Sequence, residues 1–109
     1  MFSLMARTYV VDIAGGTATA TLQIQQKQTL KKFAVTWANA AAGKIELSTS
    51  SSSQIGTAQP DTNVLARVSA NAGTNLCFAE FAISLPVTAF QSVYIHCTGT
   101  GNLGTAVLS

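Results

Sequence analysis

Charge is scarce in this sequence. Six basic and four acidic side chains make up 9% of 109 residues, with a net charge of +2. Ordinary soluble domains carry about 25% charged residues. So weak a field does not draw in nucleic acid by neutralising phosphates over a broad face. The four carboxylates, Asp12, Glu46, Asp61 and Glu80, stand apart in sequence, which excludes a calcium loop and gives no paired-acid or nucleophile-elbow pattern. Histidine is limited to His96, whose alternation sets it opposite in facing to Val93 and Ile95. No carboxylate lies near it in sequence, and the adjacent Cys97 faces the opposite way, so no catalytic residue is assigned. Cysteine is limited to Cys77 and Cys97, too few for a secreted disulfide framework and without CxxC or HxxxH spacing, so no metal site and reduced thiols are expected. Were the strands around Ile83 and Ile95 a hairpin through Pro86 to Gln91, Cys97 would lie opposite Phe81 and far from Cys77. Gly99, Gly101 and Gly104 precede no helix and no Lys-Ser/Thr pair, so they read as a hairpin turn rather than a phosphate loop, and no cofactor or small-molecule substrate is implied. Long apolar runs are missing too. None approaches the roughly 18 residues of a membrane span, and MFSLMAR lacks the pattern of a secretory signal, so synthesis and assembly in a cytoplasm and no membrane partner are expected.

What the chain does have is alternation. Apolar residues make up 48% of it, and in segment after segment they recur at every second position, the period of a strand with one buried face. Tyr9, Val11 and Ile13 alternate with Val10 and Asp12; after Gly15 and Gly16, Ala18, Ala20, Leu22 and Ile24 alternate with Thr and Gln. The spacing predicts a hairpin pairing Ile13 with Ala18, Val11 with Ala20 and Tyr9 with Leu22, whose apolar faces coincide. Phe33, Val35 and Trp37 share the next face, with Trp37 as a core anchor. A small-residue turn near Asn39 to Gly43 leads to Ile45 and Leu47, the Ala-rich stretch being too short for an autonomous helix. Val64, Ala66 and Val68 form a further strand. Cys77, Ala79, Phe81, Ile83 and Leu85 form the longest, with Phe78, Glu80 and Ser84 on its other face and Pro86 stopping its ladder. Val93, Ile95 and Cys97 point inward from a strand over about Gln91 to Thr98, and a last strand runs from Leu103 to Leu108. The sum is an all-β, antiparallel sandwich of about eight strands, jelly-roll-like, with an N-terminal arm at 1–7 and a single domain at 8–109. No fixed-length repeat suggests a solenoid or propeller.

Three segments carry the remaining functional signals. Residues 48–62, STSSSSQIGTAQPDT, read as a long exposed loop, either a flexible connector or a binding loop. Lys27, Lys31 and Lys32 read as a solvated strand edge rather than a phosphate patch. In the arm, Phe2, Leu4 and Met5 are too apolar for a tail free in water. They either pack across the sandwich's open end or dock on a neighbouring subunit, with Phe78 and Phe90 extending the same candidate interface.

This short, Ala/Thr/Ser/Gly-rich, charge-poor chain, from Met1 through the Gly15-Gly16 segment to the terminal GTAVLS strand, resembles the small all-β decoration (cement) proteins of bacteriophage capsids. The resemblance implies a non-enzymatic virion protein that forms a homo-oligomer and stabilises the shell by contacts with the major capsid protein or other virion subunits. It brings no motif by which site residues transfer one by one. The main alternative is a carbohydrate-binding or receptor-binding module. An exposed Trp37 favours that alternative and a buried one weakens it. An enzyme would need His96 in a cleft beside a carboxylate and a nucleophile. A nucleic-acid binder would need Lys27, Lys31, Lys32 and Arg67 on one face beside exposed aromatics.

Overall fold

The computed structural model of the chain describes residues 6–13, 18–38, 43–70, 77–98 and 103–109. Among them are eight strands and no helix: β1 (Tyr9–Ile13), β2 (Ala18–Gln23), β3 (Gln28–Ala38), β4 (Gly43–Ser48), β5 (Val64–Ala70), β6 (Cys77–Val87), β7 (Ser92–Thr98) and β8 (Leu103–Leu108). They form two antiparallel four-stranded sheets, A in the order β1-β8-β3-β6 and B in the order β2-β7-β4-β5. The apolar faces expected from alternation meet between the sheets. Ile24, Leu30, Phe33, Val35, Leu47, Val93, Ile95, Ala106 and Leu108 are wholly buried there, and Phe33 stacks on Phe81 of the adjoining strand. Each such large apolar side chain contributes about 1.5–3 kcal/mol.

The pairing of the strands departs from the sequence reading. Tyr9, Val11 and Ile13 pair with Leu108, Ala106 and Gly104 of β8, and Ala18, Ala20 and Leu22 pair with Cys97, Ile95 and Val93 of β7. The expected Gly15-Gly16 hairpin is therefore wrong, and the glycines themselves lie outside the described residues. The two strands belong to opposite sheets, and their apolar faces coincide by meeting across the core instead of side by side. Nor do β6 and β7 form the hairpin that would set Cys97 opposite Phe81: β6 pairs with β3, so Phe81 faces Phe33, while Cys97 faces Ala18 and Ile45. Nor do β7 and β8 pair as the hairpin expected from Gly99, Gly101 and Gly104 requires, since they lie in different sheets; Gly99 and Gly101 lie outside the described residues. Of the seven connections, only β4 to β5 stays within one sheet. The adjacent pairs β1/β8, β2/β7, β3/β6 and β4/β5 make one long antiparallel ladder folded over on itself.

Gly104 sits inside β8 rather than in a turn. A Cβ there would come within 2.0 Å of the Thr36 carbonyl oxygen and 2.7 Å of the Trp37 Cα. The absence of a side chain is what lets β8 lie against the Trp37 position of β3.

A β-bulge in β3 explains the paired lysines. The amides of Lys31 and Lys32 both donate to the Ser109 carbonyl oxygen, at 2.7 and 2.9 Å, and Ser109 N–H returns a bond to the Lys32 carbonyl. The extra residue puts Lys31 and Lys32 side by side on the exposed face of sheet A. Their strand lies between β8 and β6, so the expected strand edge is corrected to the outer face of a central strand.

The same bonds fix the polarity of β6. Lys32 bonds toward β8, so the odd-numbered residues Phe33, Val35 and Trp37 bond toward β6, where their partners are Phe81, Ala79 and Cys77. Even-numbered β6 residues therefore aim their backbone groups away from the sheet. Pro86 occupies one of these outward positions, where the missing N–H removes no ladder bond, and β6 runs on to Val87 instead of stopping before it.

Candidate functional site: one sealed sheet face and one bare face

The outer face of sheet B carries a row of polar residues that the sequence scatters over 78 positions. Thr19 pairs with His96, His96 with Glu46, and Glu46 with Arg67, so one transverse line crosses β2, β7, β4 and β5. An outward-facing row would normally be wet, yet His96 is 1% exposed and Glu46 and Ser48 are fully buried. The cover is the loop between β4 and β5, which folds back over its own sheet.

Its sequence explains how. Serine and asparagine-type side chains bond backbone amides two residues on. Ser48, Ser50 and Ser53 each accept from the amide two residues later, and Asp61 does the same for Asn63. The low-complexity serine run is thus a string of local turns. The Gln54 side chain accepts from Asp61 N–H at 2.9 Å, closing the loop across its width. Hydrogen bonding from Gln54, then from Asn63, holds the Asp61 carboxyl below its usual range.

Side chains of the polar row pin this loop. His96 Nε2–H donates to the Ser50 carbonyl at 2.9 Å, Nδ1 lies 2.9 Å from the Thr19 hydroxyl, and the ring stacks on Tyr94. Glu46 Oε1 accepts from Gln54 N–H at 3.0 Å, and Oε2 binds Arg67 Nε at 3.2 Å. The other guanidinium nitrogens donate to the Thr57 and Gln54 carbonyls. Residues 48–62 are expected to be a long exposed loop; apart from Ser48, which ends β4 and is buried, they are irregular and largely exposed, and the structure adds that the loop's inner side is tied to the sheet, so that it is a strapped cover and not a flexible connector.

The row does bring His96 near a hydroxyl and a carboxylate, the cluster an enzyme would need. Both Glu46 oxygens are engaged elsewhere, however, and the imidazole's second nitrogen meets a carbonyl beneath the loop. His96 Nε2, Glu46 Oε1 and the two terminal nitrogens of Arg67 are all spent on backbone groups of the loop. Beneath the loop tip an open cavity of about 280 Å³ is bordered by Lys44, Ile55, Gly56, Thr57, Ala58 and Arg67. Among the described residues no group of three or more His, Cys, Asp or Glu side chains could hold a metal. Cys97 is a free thiol, and burial pushes it up to about 11.

The outer face of sheet A is the opposite case, since no loop among the described residues seals it. Val10, Val107, Ala34 and Glu80 form one transverse row, and Asp12, Thr105, Thr36 and Phe78 the next. Val10 and Phe78 are each 65% exposed. Apart from the Lys32–Glu80 pair at 3.7 Å, Lys31 and Asp12, the face is flat, small and weakly solvated.

Of the candidate interface residues, Phe2, Leu4 and Met5 lie outside the described residues. Phe78 and Phe90 are both strongly exposed but do not form one patch. Phe90, at φ 69°, bonds the Ile24 carbonyl near Gln25, Tyr9 and Gln28, the end of the sandwich at which Arg7 is tied to Gln28. Phe78 lies near the other end of β6, nine residues or about 30 Å back along the strand from Val87. Phe90 therefore stands beside the root of the arm, while Phe78 belongs to the bare face. Lys27, Lys31 and Lys32 do not converge with Arg67, which is on the other sheet. No protein-family model matches the chain, and no curated protein matches it in sequence.

Proposed function

We propose that the protein is a non-enzymatic virion structural protein, a decoration or cement protein that stabilises a capsid shell through protein contacts. The observation that carries this reading is the asymmetry of the two outer faces. The chain lays a loop over the centre of sheet B and holds it with His96, Glu46 and Arg67, yet leaves Val10 and Phe78 strongly exposed and Val107 and Ala34 half-exposed on sheet A. Flat, charge-poor surface of this kind suits burial against another subunit. The paired strands β1/β8, β2/β7, β3/β6 and β4/β5 support the jelly-roll reading of the sandwich, an architecture found in capsid proteins.

The sugar-binding alternative loses its main support, because Trp37 is 2% exposed and offers no ring to a glycan. The test is to add purified protein to capsid particles depleted of it and follow co-sedimentation. Val10→Lys, on the bare face, is expected to reduce binding at least tenfold, while Ser52→Lys, on the outer side of the loop, leaves it unchanged. Equal binding by both variants, or none by the unaltered protein, contradicts the reading.

A further inference from the structure

Among the described residues nothing pairs with the outer edge of β6, an unusual feature for a monomeric sandwich. The strand is 11 residues long, lies at the margin of sheet A, and carries one charged side chain, Glu80, which stands opposite Ala34 and is already ion-paired with Lys32. Natural edges are blunted by charge, brevity or proline, and here only Pro86, near one end, does so. The outward amides of Phe78, Glu80, Ala82 and Ser84, with the carbonyls of Phe78 to Pro86 at even positions, form an open ladder. Beside it, Ala79, Phe81, Ile83 and Leu85 face the core but are only half-buried, unlike their partners Val35, Phe33 and Leu30 on β3. The core is therefore incomplete along this margin.

We infer that β6 pairs antiparallel with β6 of a second copy about a two-fold axis at Ala82, joining the two A sheets into one of eight strands. The partner follows from self-complementarity, and the register from two constraints. Inward residues must meet inward residues, so the axis passes through a residue and not between two. The axis must keep the two Glu80 side chains apart. Centred on Glu80 they oppose each other and on Phe81 they lie two residues apart, whereas centred on Ala82 they are four residues, about 13 Å, apart. With the axis at Ala82, Phe81 meets Ile83 of the partner copy, Ala79 meets Leu85, Glu80 meets Ser84, and Phe78 covers Pro86. Each half-buried apolar residue gains a cross-strand apolar partner, the exposure of Phe78 is accounted for, and Pro86 falls at the end of the shared ladder. An isologous contact of this kind is self-limiting, because it uses up the edge that forms it. It stands independently of the virion reading; if both hold, the two bare faces become one continuous platform.

The test is solution mass by light scattering, with cross-linking for register. The unaltered protein is expected to show a concentration-dependent mass rising toward twice 11.3 kDa. Ala82→Pro removes only an outward N–H, as Pro86 already does, and Ala82→Lys opposes two charges across the axis. Each is expected to return the monomer mass with an unchanged circular dichroism spectrum, and the second serves if the first misfolds. In a hydrogen-bonded antiparallel pair the facing Cα atoms are about 5.5 Å apart, within disulfide reach. Ala82→Cys is therefore expected to form a covalent dimer on mild oxidation, well above the background of the native chain, and Ser84→Cys not to. A monomer at all concentrations, a dimer indifferent to both Ala82 variants, or equal cross-linking at the two positions overturns the inference.

Discussion

Removing Arg67 is the sharpest probe of the sealed face. In Arg67→Ala the carboxylate of Glu46 stays wholly buried with one amide bond from Gln54 and no counter-charge. Stripping one partner from a buried pair costs about 3–5 kcal/mol. Arg67 keeps 31% of its side chain exposed, so water reaches part of the site and the low end applies, about 3 kcal/mol. For a domain of this size that is a fall in Tm of about 12–24 °C. The loss should come back when both charges go: in Glu46→Gln with Arg67→Met, the amide still accepts from Gln54 and no charge is stranded, so stability returns to within about 1 kcal/mol of the parent. Urea unfolding followed by circular dichroism gives the free energies. Limited proteolysis gives the location, with cleavage in Arg67→Ala confined to residues 49–63. A cost below about 1 kcal/mol, or a loop as resistant as before, would refute the idea that the pair holds the cover down.

Other positions give independent checks. Gly104→Ala forces a methyl group onto the Thr36 carbonyl and Trp37, and is expected to destabilise by about 4 kcal/mol or more, in the range of severe steric defects; a normal Tm would show that β3 and β8 are not so closely set. Cys97, 3% exposed and with its thiol raised from 9.0 to about 11, should resist iodoacetamide at pH 8 until urea unfolds the chain, as read by peptide mass. By the same linkage its stabilising contribution is complete below pH 9 and is lost as pH rises toward 11, where the unfolded thiol ionises first. Trp37 fluorescence should be blue-shifted and protected from iodide quenching, and emission near that of free tryptophan would reopen the glycan reading.

How much of this could be read from residue order depends on what alternation encodes. The inward sets Phe33, Val35, Trp37 and Val93, Ile95, Cys97, and the strand Leu103 to Leu108, emerge as expected because period two states which side of a strand is dry. It does not state the neighbour. Apolar residues of β1 and β2 satisfy their pattern equally by lying side by side or by facing one another across a core, and a pair of glycines does not decide between a hairpin and a crossing between sheets. The polar row escaped detection for a related reason. Thr19, Glu46, Arg67 and His96 become neighbours only through register in a four-stranded sheet, which no local pattern carries. The loop over them was partly legible, since serine spaced by two is the signature of turns that bond their own amides, but what it covers was not.

The most direct measurement is the distribution of the native chain in its producing cells after lysis and density-gradient banding of particles. The account predicts that the chain bands with the shell, in a fixed ratio to its most abundant protein by quantitative mass spectrometry. A chain found wholly in the soluble fraction, with particles that band without it, would contradict the account.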